Sequence, residues 1–439
     1  MSEWRKIRLN DLVEEIIDRR GVTPLKLGSN FTTSGYRVIS AKLVKNNRID
    51  LSSDVARYVD RSTYLKWMKT PLKSDDVILT SEAPIGETAY LREDAEWCLG
   101  QRLFCIRTKK EIMNGRFLFY CLQYENTRHE LLSRATGTTA QGISQESLRQ
   151  ALIPIPPLPE QKAIAHILGS LDDKIELNRR MNETLEAMAR AIFKDWFVDF
   201  GPTRAKIEGR APYLPEPIWS LFPDAIDPQS GLPQGWEIAP FESIVSVKDG
   251  THDSPKMSDF GYPLITSKHL KNGYIDFDSA YLISEKDFLE VNKRSKVDRL
   301  DILITMIGTV GNLFFVDYKS IDFAIKNVGL FKTSEKPHLA EYLYLYLGSS
   351  NITNYLASRQ SGTTQSYLTL KALRTIPVVL PKVELVEAFK TKISSIFERI
   401  TVNRDESRTL AKLRDRLLPK LMSGQIRVKD AEKLVEEVL

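Results

Sequence analysis

The sequence predicts an α+β fold made by tandem duplication: a mixed α/β globular part followed by a long helix, then the same again, with the two long helices forming an antiparallel coiled coil. Three observations predict it. The sixteen residues 35–50 (GYRVISAKLVKNNRID) return at 261–276 as GYPLITSKHLKNGYID with eight identities, where chance gives about one. Stepping by threes and fours along 158–197 picks out Leu168, Leu171, Ile175, Asn178, Asn182, Leu185, Ala189, Ile192 and Trp196, a coiled-coil seam. The same stepping returns in the second half as Ile393, Ile396, Ile400, Asn403, Ser407, Leu410, Arg414, Leu417 and Leu421.

Length and composition bound the rest. A chain of 439 residues is too long for one core. With 42% hydrophobic and 27% charged residues it has the balance of an ordinary soluble globular protein. No apolar run approaches the roughly 18 residues of a membrane span, and the opening MSEWRKIRLN has no signal-peptide core, so a cytoplasmic location is expected. Cys98, Cys105 and Cys121 are an odd set without CxxC spacing, as expected of reduced thiols. The net charge of +5 permits a polyanionic partner without arguing for one.

Taken in order, the first globular part is expected over 1–156, the central helix over 157–200, a connector over 201–235, the second globular part over 236–380, the distal helix over 381–424 and a tail over 425–439. Within the globular parts VILT, LFCIR, DILIT and GLFKT are short β-branched or aromatic runs between Gly, Asp and Pro, and read as strands. Residues 117–134 and 338–359 have helical spacing. The duplication extends through 76–86 over 301–311, FLFYCL at 117–122 over YLYLYL at 342–347, and Gly137-Thr138-Thr139 over Gly362-Thr363-Thr364. The central helix opens on Pro159 and Glu160, residue types suited to a first turn, and Gly201-Pro202 stops it. The connector carries seven Pro with little periodicity and reads as ordered to loose. Two long helices with one pattern argue for mutual burial of their stripes through Leu171, Ile175, Asn178, Leu185 and Ile192 on one and Ile396, Ile400, Asn403, Leu410 and Leu417 on the other. Two separate amphipathic helices, each on its own globular neighbour, are the alternative.

Catalytic signatures are missing from the sequence. It contains no GxxxxGK[ST], no GxGxxG after a strand and no HExxH. PIPPLP at 154–159 lacks the Asn or Asp that an adenine methyltransferase motif needs. His252, between Asp249 and Asp253, has no further ligand or nucleophile nearby and reads as a loop-shaping residue. The expectation is no catalytic residue and no metal site. For DNA contact, the Gly-Thr-Thr loops offer N–H and O–H donors to phosphate through Thr138, Thr139, Thr363 and Thr364. Gln141 and Gln365 lie close by, and Gln can bond adenine at two positions. Capping of the following helix explains the same residues equally well. Lys42 and Lys45, matched by Lys268 and Lys271, form a repeated pair suited to phosphate.

The sequence resembles the specificity subunit of type I restriction-modification systems along nearly its whole length. The resemblance rests on IPIPPLPEQKAIA (153–165), LDDKIELNRRMNETLEAMARAIFKDWFVDF (171–200), DGTHDSPK (249–256) and RDRLLPKLMSGQIRV (414–428). It implies a bacterial or archaeal phage-defence subunit that binds double-stranded DNA, without catalysis or cofactor of its own. Two target recognition domains would each read one half of a split, asymmetric site. Two methyltransferase subunits would supply S-adenosylmethionine chemistry on adenine, and nuclease subunits ATP-driven translocation and restriction. The long helices would then act as a ruler, so that inserting four residues after Asn182 and after Ser407 lengthens the gap between half-sites. Arg414 in place of Ala189, and PKVELVEAF in place of PPLPEQKAI, imply that the two halves are not equivalent. An assembly scaffold with protein-binding repeats is the competing reading.

Overall fold

A computed structural model describes residues 4–51, 56–137, 141–271, 273–362 and 366–438. They divide into two compact units, Met1–Asn178 with Asp405–Leu439, and Arg179–Arg404.

In the first unit a four-stranded antiparallel sheet runs in the order Val13–Asp18, Leu103–Thr108, Val77–Thr80, Thr88–Tyr90. Alternate residues divide between two cores. Val77, Leu79, Phe104 and Ile106 face the helical side, while Ile78, Leu103 and Cys105 face the other. A sheet covered on both faces explains why VILT and LFCIR are apolar without alternation. A three-stranded sheet, Arg57–Val59, Tyr36–Ile39 and Cys98–Leu99, lies on the second face, with 36–39 parallel to 98–99. Arg5–Arg8 pairs with Leu152–Ile155 immediately before the first long helix.

The second unit repeats this plan. Its four-stranded order is Val247–Asp249, Val328–Phe331, Ile302–Thr305, Leu313–Phe315. Its three-stranded sheet joins Leu282–Ile283, Tyr262–Thr266 and Ala324–Lys326, and Glu237–Pro240 pairs with Pro377–Leu380. Each unit also buries one acidic residue at the start of a central strand against a cation on, or just after, the neighbouring strand. Arg107 grips Asp76 through Nε and Nη2 at 2.8 and 2.7 Å, and Lys332 Nζ reaches Asp301 at 2.5 Å and Asp298 at 2.7 Å.

The helical segments differ from expectation in one respect. Residues 117–134 and 338–359 each hold two helices, Gly115–Gln123 then Glu125–Ser133, and Ala340–Leu347 then Ser350–Ala357. The chain turns extended at Tyr124 (ψ 132°) and Ser349 (ψ 152°). Residues 117–122 are buried on every side, whereas 125–133 bury only Thr127 and Leu131. One straight helix cannot lie inside the core and on its surface, so the chain breaks between them.

The long helices are Leu158–Phe197 and Val383–Met422, of 40 residues each. In the first unit Asn178 Nδ2 donates to Glu406 Oε2 at 2.7 Å and Ser407 Oγ at 3.3 Å, and Arg414 Nη1 reaches Asp172 Oδ1 at 2.6 Å. In the second, Asn403 Nδ2 donates to Asn182 Oδ1 at 2.8 Å, and the Trp196 and Phe389 rings lie 5.6 Å apart. Residue numbers rise on one helix as they fall on the other, so the pairing is antiparallel. Leu171, Asn178, Leu410 and Leu417 are buried in the first unit, and Ile396, Ile400 and Asn403 in the second, with Ile175, Leu185 and Ile192 half-buried.

Helix starts are fastened differently. Gln161, fully buried, accepts from Asn114 N–H and donates to the carbonyls of Ile112 and Pro156. At the start of the second long helix Leu385 and Val386 pack into an apolar core instead. The connector is firmer than its prolines suggested. Helices Gly201–Ile207 and Glu216–Trp219 carry Pro202 and Pro217 in their first turns, and Trp219, Phe222 and Leu232 are buried. The stretch 425–439 holds the helix Val428–Glu436, which buries Ala431 and Val435 against the first unit's core.

Candidate nucleic-acid interface

The repeated lysines stand on hairpins. Val44–Lys45 pairs with Arg48–Ile49 around Asn46 and Asn47, whose φ of 50° and 60° suit a two-residue turn that matches strand twist. Leu270–Lys271 pairs with Tyr274–Ile275, with Gly273 at φ 79°. Lys42, Lys45 and Lys268 are exposed, while Lys271 is half-buried and its ammonium bonds the Lys268 carbonyl.

Two further loops meet at the end of the central sheet. In the first unit Thr80 Oγ1 donates to Pro84 O at 2.6 Å and accepts from Glu87 N–H at 2.9 Å, which folds 81–86 into a tight loop. That loop pairs with Gly142 and Ile143 through Ile143 N–H to Ser81 O at 2.9 Å and a bridge between Glu82 and Gly142. Thr136 and Gly142 exchange two 2.9 Å bonds with each other. In the second unit Thr305 holds 306–311 in the same way. Gly308 N–H donates to Ser366 O and Leu368 N–H to Met306 O, and Ser361 bridges Tyr367. Gln141, next to Gly142, is exposed. Thr138, Thr139, Thr363, Thr364 and Gln365 lie outside the described residues.

A third loop completes each cluster. Arg20 grips Asp18 at 2.9 and 2.7 Å, lies 4.1 Å over the Phe104 ring and donates to the Ile143 carbonyl at 3.3 Å. In the second unit Asp249 is held by Arg294 and by His252 Nε2 at 3.0 Å, while His252 Nδ1 meets Asn327 Oδ1 at 2.8 Å. His252 therefore shapes a loop, and among the described residues no group of three His, Cys, Asp or Glu could hold a metal. Asn327 O accepts from Ser267 Oγ at 3.0 Å, and Ser267 Oγ accepts from Met306 N–H at 3.3 Å. The chain of bonds links all three loops.

Chemically these clusters present exposed lysines, backbone donors and polar side chains on a fixed frame, the set that proteins use on phosphates and base edges. Part of the positive charge is already matched, as in Arg102 with Glu82 at 3.2 Å. Behind the second hairpin His269 is fully buried; burial, with Lys268 and Lys271 adding to it, pulls its pKa below the usual histidine value. The sequence singles out the hairpin lysines and the Gly-Thr-Thr stretches as candidates for DNA contact, and gives no such indication for 81–86 and 306–311. Their only signal was a repeat shared by two copies, and nothing local shows which loops they touch.

The chain matches a family model described as the type I restriction modification DNA specificity domain, over residues 1–187 and 233–412. It is 27% identical to the type I restriction enzyme HindI specificity subunit of Haemophilus influenzae, across 97% of this chain and 100% of that one. It is 25% identical to the MjaIX specificity subunit of Methanocaldococcus jannaschii, across 81% and 78%. The solved S subunit of a type I restriction-modification system from M. genitalium has a similar fold, with TM-score 0.50, 16% identity, and coverage of 95% and 96%. The chain thus belongs to the type I restriction-modification specificity family.

Proposed function

We propose that this chain is the DNA-reading subunit of a type I restriction-modification complex, with each unit reading one half of a split, asymmetric site. The observation that carries this reading is that one loop cluster is built twice on one framework with different residues. Arg20 braces Asp18 in the first copy, and His252 with Arg294 braces Asp249 in the second. A shared frame with unlike tips suits two related surfaces that read unlike half-sites. Lys42 and Lys45, and Lys268 and Lys271, contact phosphate, and the Gly-Thr-Thr loops with Gln141 and Gln365 approach the duplex. The chain itself is non-catalytic and needs no cofactor. Two methyltransferase subunits bind along the helices and use S-adenosylmethionine, and nuclease subunits use ATP, in the cytoplasm.

The test is selection of bound duplexes from a random pool, using the chain purified together with its methyltransferase subunit. Enrichment of two short, unlike elements at a fixed separation is expected. A pool that stays random in the presence of the partner overturns the reading in favour of a scaffold.

A further inference from the structure

Among the described residues, the three most exposed large apolar side chains are Phe260 (81%), Leu25 (80%) and Met257 (77%). All three fall on one loop of the repeated fold. It joins strand Val13–Asp18 to Tyr36–Ile39 in the first copy and Val247–Asp249 to Tyr262–Thr266 in the second. The first copy's loop also leaves Phe31 exposed, with the Arg57 guanidinium 5.1 Å from its ring. The two loops differ in length and share little sequence, yet both carry the most exposed large apolar side chains among the described residues.

The loops are held, not loose. Thr32 N–H donates to Tyr58 O at 2.8 Å, and Ser258 N–H to Leu282 O at 2.9 Å. Ser258 Oγ also donates to Phe260 O at 2.7 Å. Each loop ends on a glycine with no room for a side chain. A Cβ on Gly35 (φ 119°) would sit 2.5 Å from Val59 O, and one on Gly261 (φ 132°) 2.1 Å from Ile283 O. The tips therefore stand preorganised on the sheet. Through His252 and Asn327 the second loop is tied to the cluster described above.

We infer that Leu25 and Phe31 in one unit, and Met257 and Phe260 in the other, are apolar base-contacting residues that press into the duplex. This inference rests on the DNA-reading function proposed above. The occupant is duplex DNA because each tip is flanked by cations: exposed Lys26 and Arg57 in one unit, and in the other exposed Lys256 with Lys326, whose ammonium bonds Ser254 Oγ. Asp253 and Asp259 on the second loop are acceptors of the kind that bond cytosine amino groups, so the loop is more than a phosphate strip. Leucine, methionine and phenylalanine meet thymine methyl groups or wedge between base steps. The two loops would then be where the half-sites come to differ.

The experiment compares the parent chain with L25A/F31A and M257A/F260A, each co-purified with the methyltransferase subunit. Adenine methylation is mapped and its rate measured, and complex formation is followed by size exclusion without DNA. Each variant is expected to assemble normally. Each should methylate roughly tenfold more slowly, with base preference relaxed at one or more positions of a single half-site, a different half-site for each variant. An unchanged motif and rate in both variants overturns the inference. So does failure to assemble without DNA, which assigns the tips to a protein partner. A parent complex that shows no split motif defeats the underlying function instead, and is told apart because it needs no variant.

Discussion

Asn403 donates a 2.8 Å hydrogen bond from Nδ2 to Asn182 Oδ1, within the second unit's stretch of the helix pair, among the apolar Leu185, Ala189, Ile396 and Ile400. Asn403 is fully buried and Asn182 half-buried. A polar pair in a seam favours one register, since any slip leaves amides facing hydrocarbon. Asn403→Leu should destabilise the second unit by about 1–3 kcal/mol, because Asn182 then loses its donor in a closed seam. Adding Asn182→Leu should return most of the lost stability. Urea unfolding of the two variants checks both; a double variant no better than the single would contradict the pairing.

Arg414 tells the two halves apart. Its guanidinium bonds Asp172 Oδ1 at 2.6 Å, and Tyr120 donates to Asp172 Oδ2 at 2.5 Å. Burial works against its charge, but Asp172 and Asp415 outweigh burial and raise its pKa. Arg414→Ala leaves Asp172, which is only 12% exposed, with the Tyr120 hydroxyl and no counter-charge, and should cost about 3 kcal/mol. Arg414→Ala with Asp172→Ala should cost less than the single change. A double-mutant cycle in unfolding free energy measures the difference, and a coupling near zero would contradict it.

His269 gives the second unit a pH dependence. Its folded pKa lies below the ordinary 6.5, first through burial. The unfolded chain then binds the proton more readily. The stability it contributes is full above the unfolded pKa and is lost as pH falls below about 6.5 toward the folded value. Lys268 and Lys271 oppose the charge and Asp276 favours it. The first copy has Leu43 in the matching place, buried without a charge. His269→Leu should therefore flatten the fall in melting temperature between about pH 7 and about pH 5. An unchanged slope would sink the argument.

If the paired helices set the gap between half-sites, four residues inserted after Asn182 and after Ser407 add about 6 Å of helix. That corresponds to roughly two base pairs, and the methylated motif should widen accordingly. A motif with the parent gap would remove the helices from that role.

Much of this architecture was legible in the sequence. The stripe from Leu168 to Trp196 and its return from Ile393 to Leu421 are periodic, and periodicity survives without any knowledge of neighbours. The strands at Val77–Thr80 and Ile302–Thr305 are short apolar runs with clear boundaries. The hidden features depend on distant partners. Nothing near Arg20 shows that it reaches Ile143, and nothing near Gln161 shows that it serves Asn114 and Ile112. The break at Tyr124 was hidden because both flanking segments have helical spacing. It follows from a difference in burial that arises only once the sheet is in place. Phe260 and Met257 were unreadable for the opposite reason, since an apolar residue in a loop is normally presumed to be covered.

The most direct measurement is a genome-wide map of adenine methylation after co-expression of this chain with the methyltransferase subunit proposed as its partner. One split motif of two unlike halves with a fixed gap is the predicted result. Absence of methylation, or methylation without a motif, would contradict the claim that two unlike loop clusters read two half-sites.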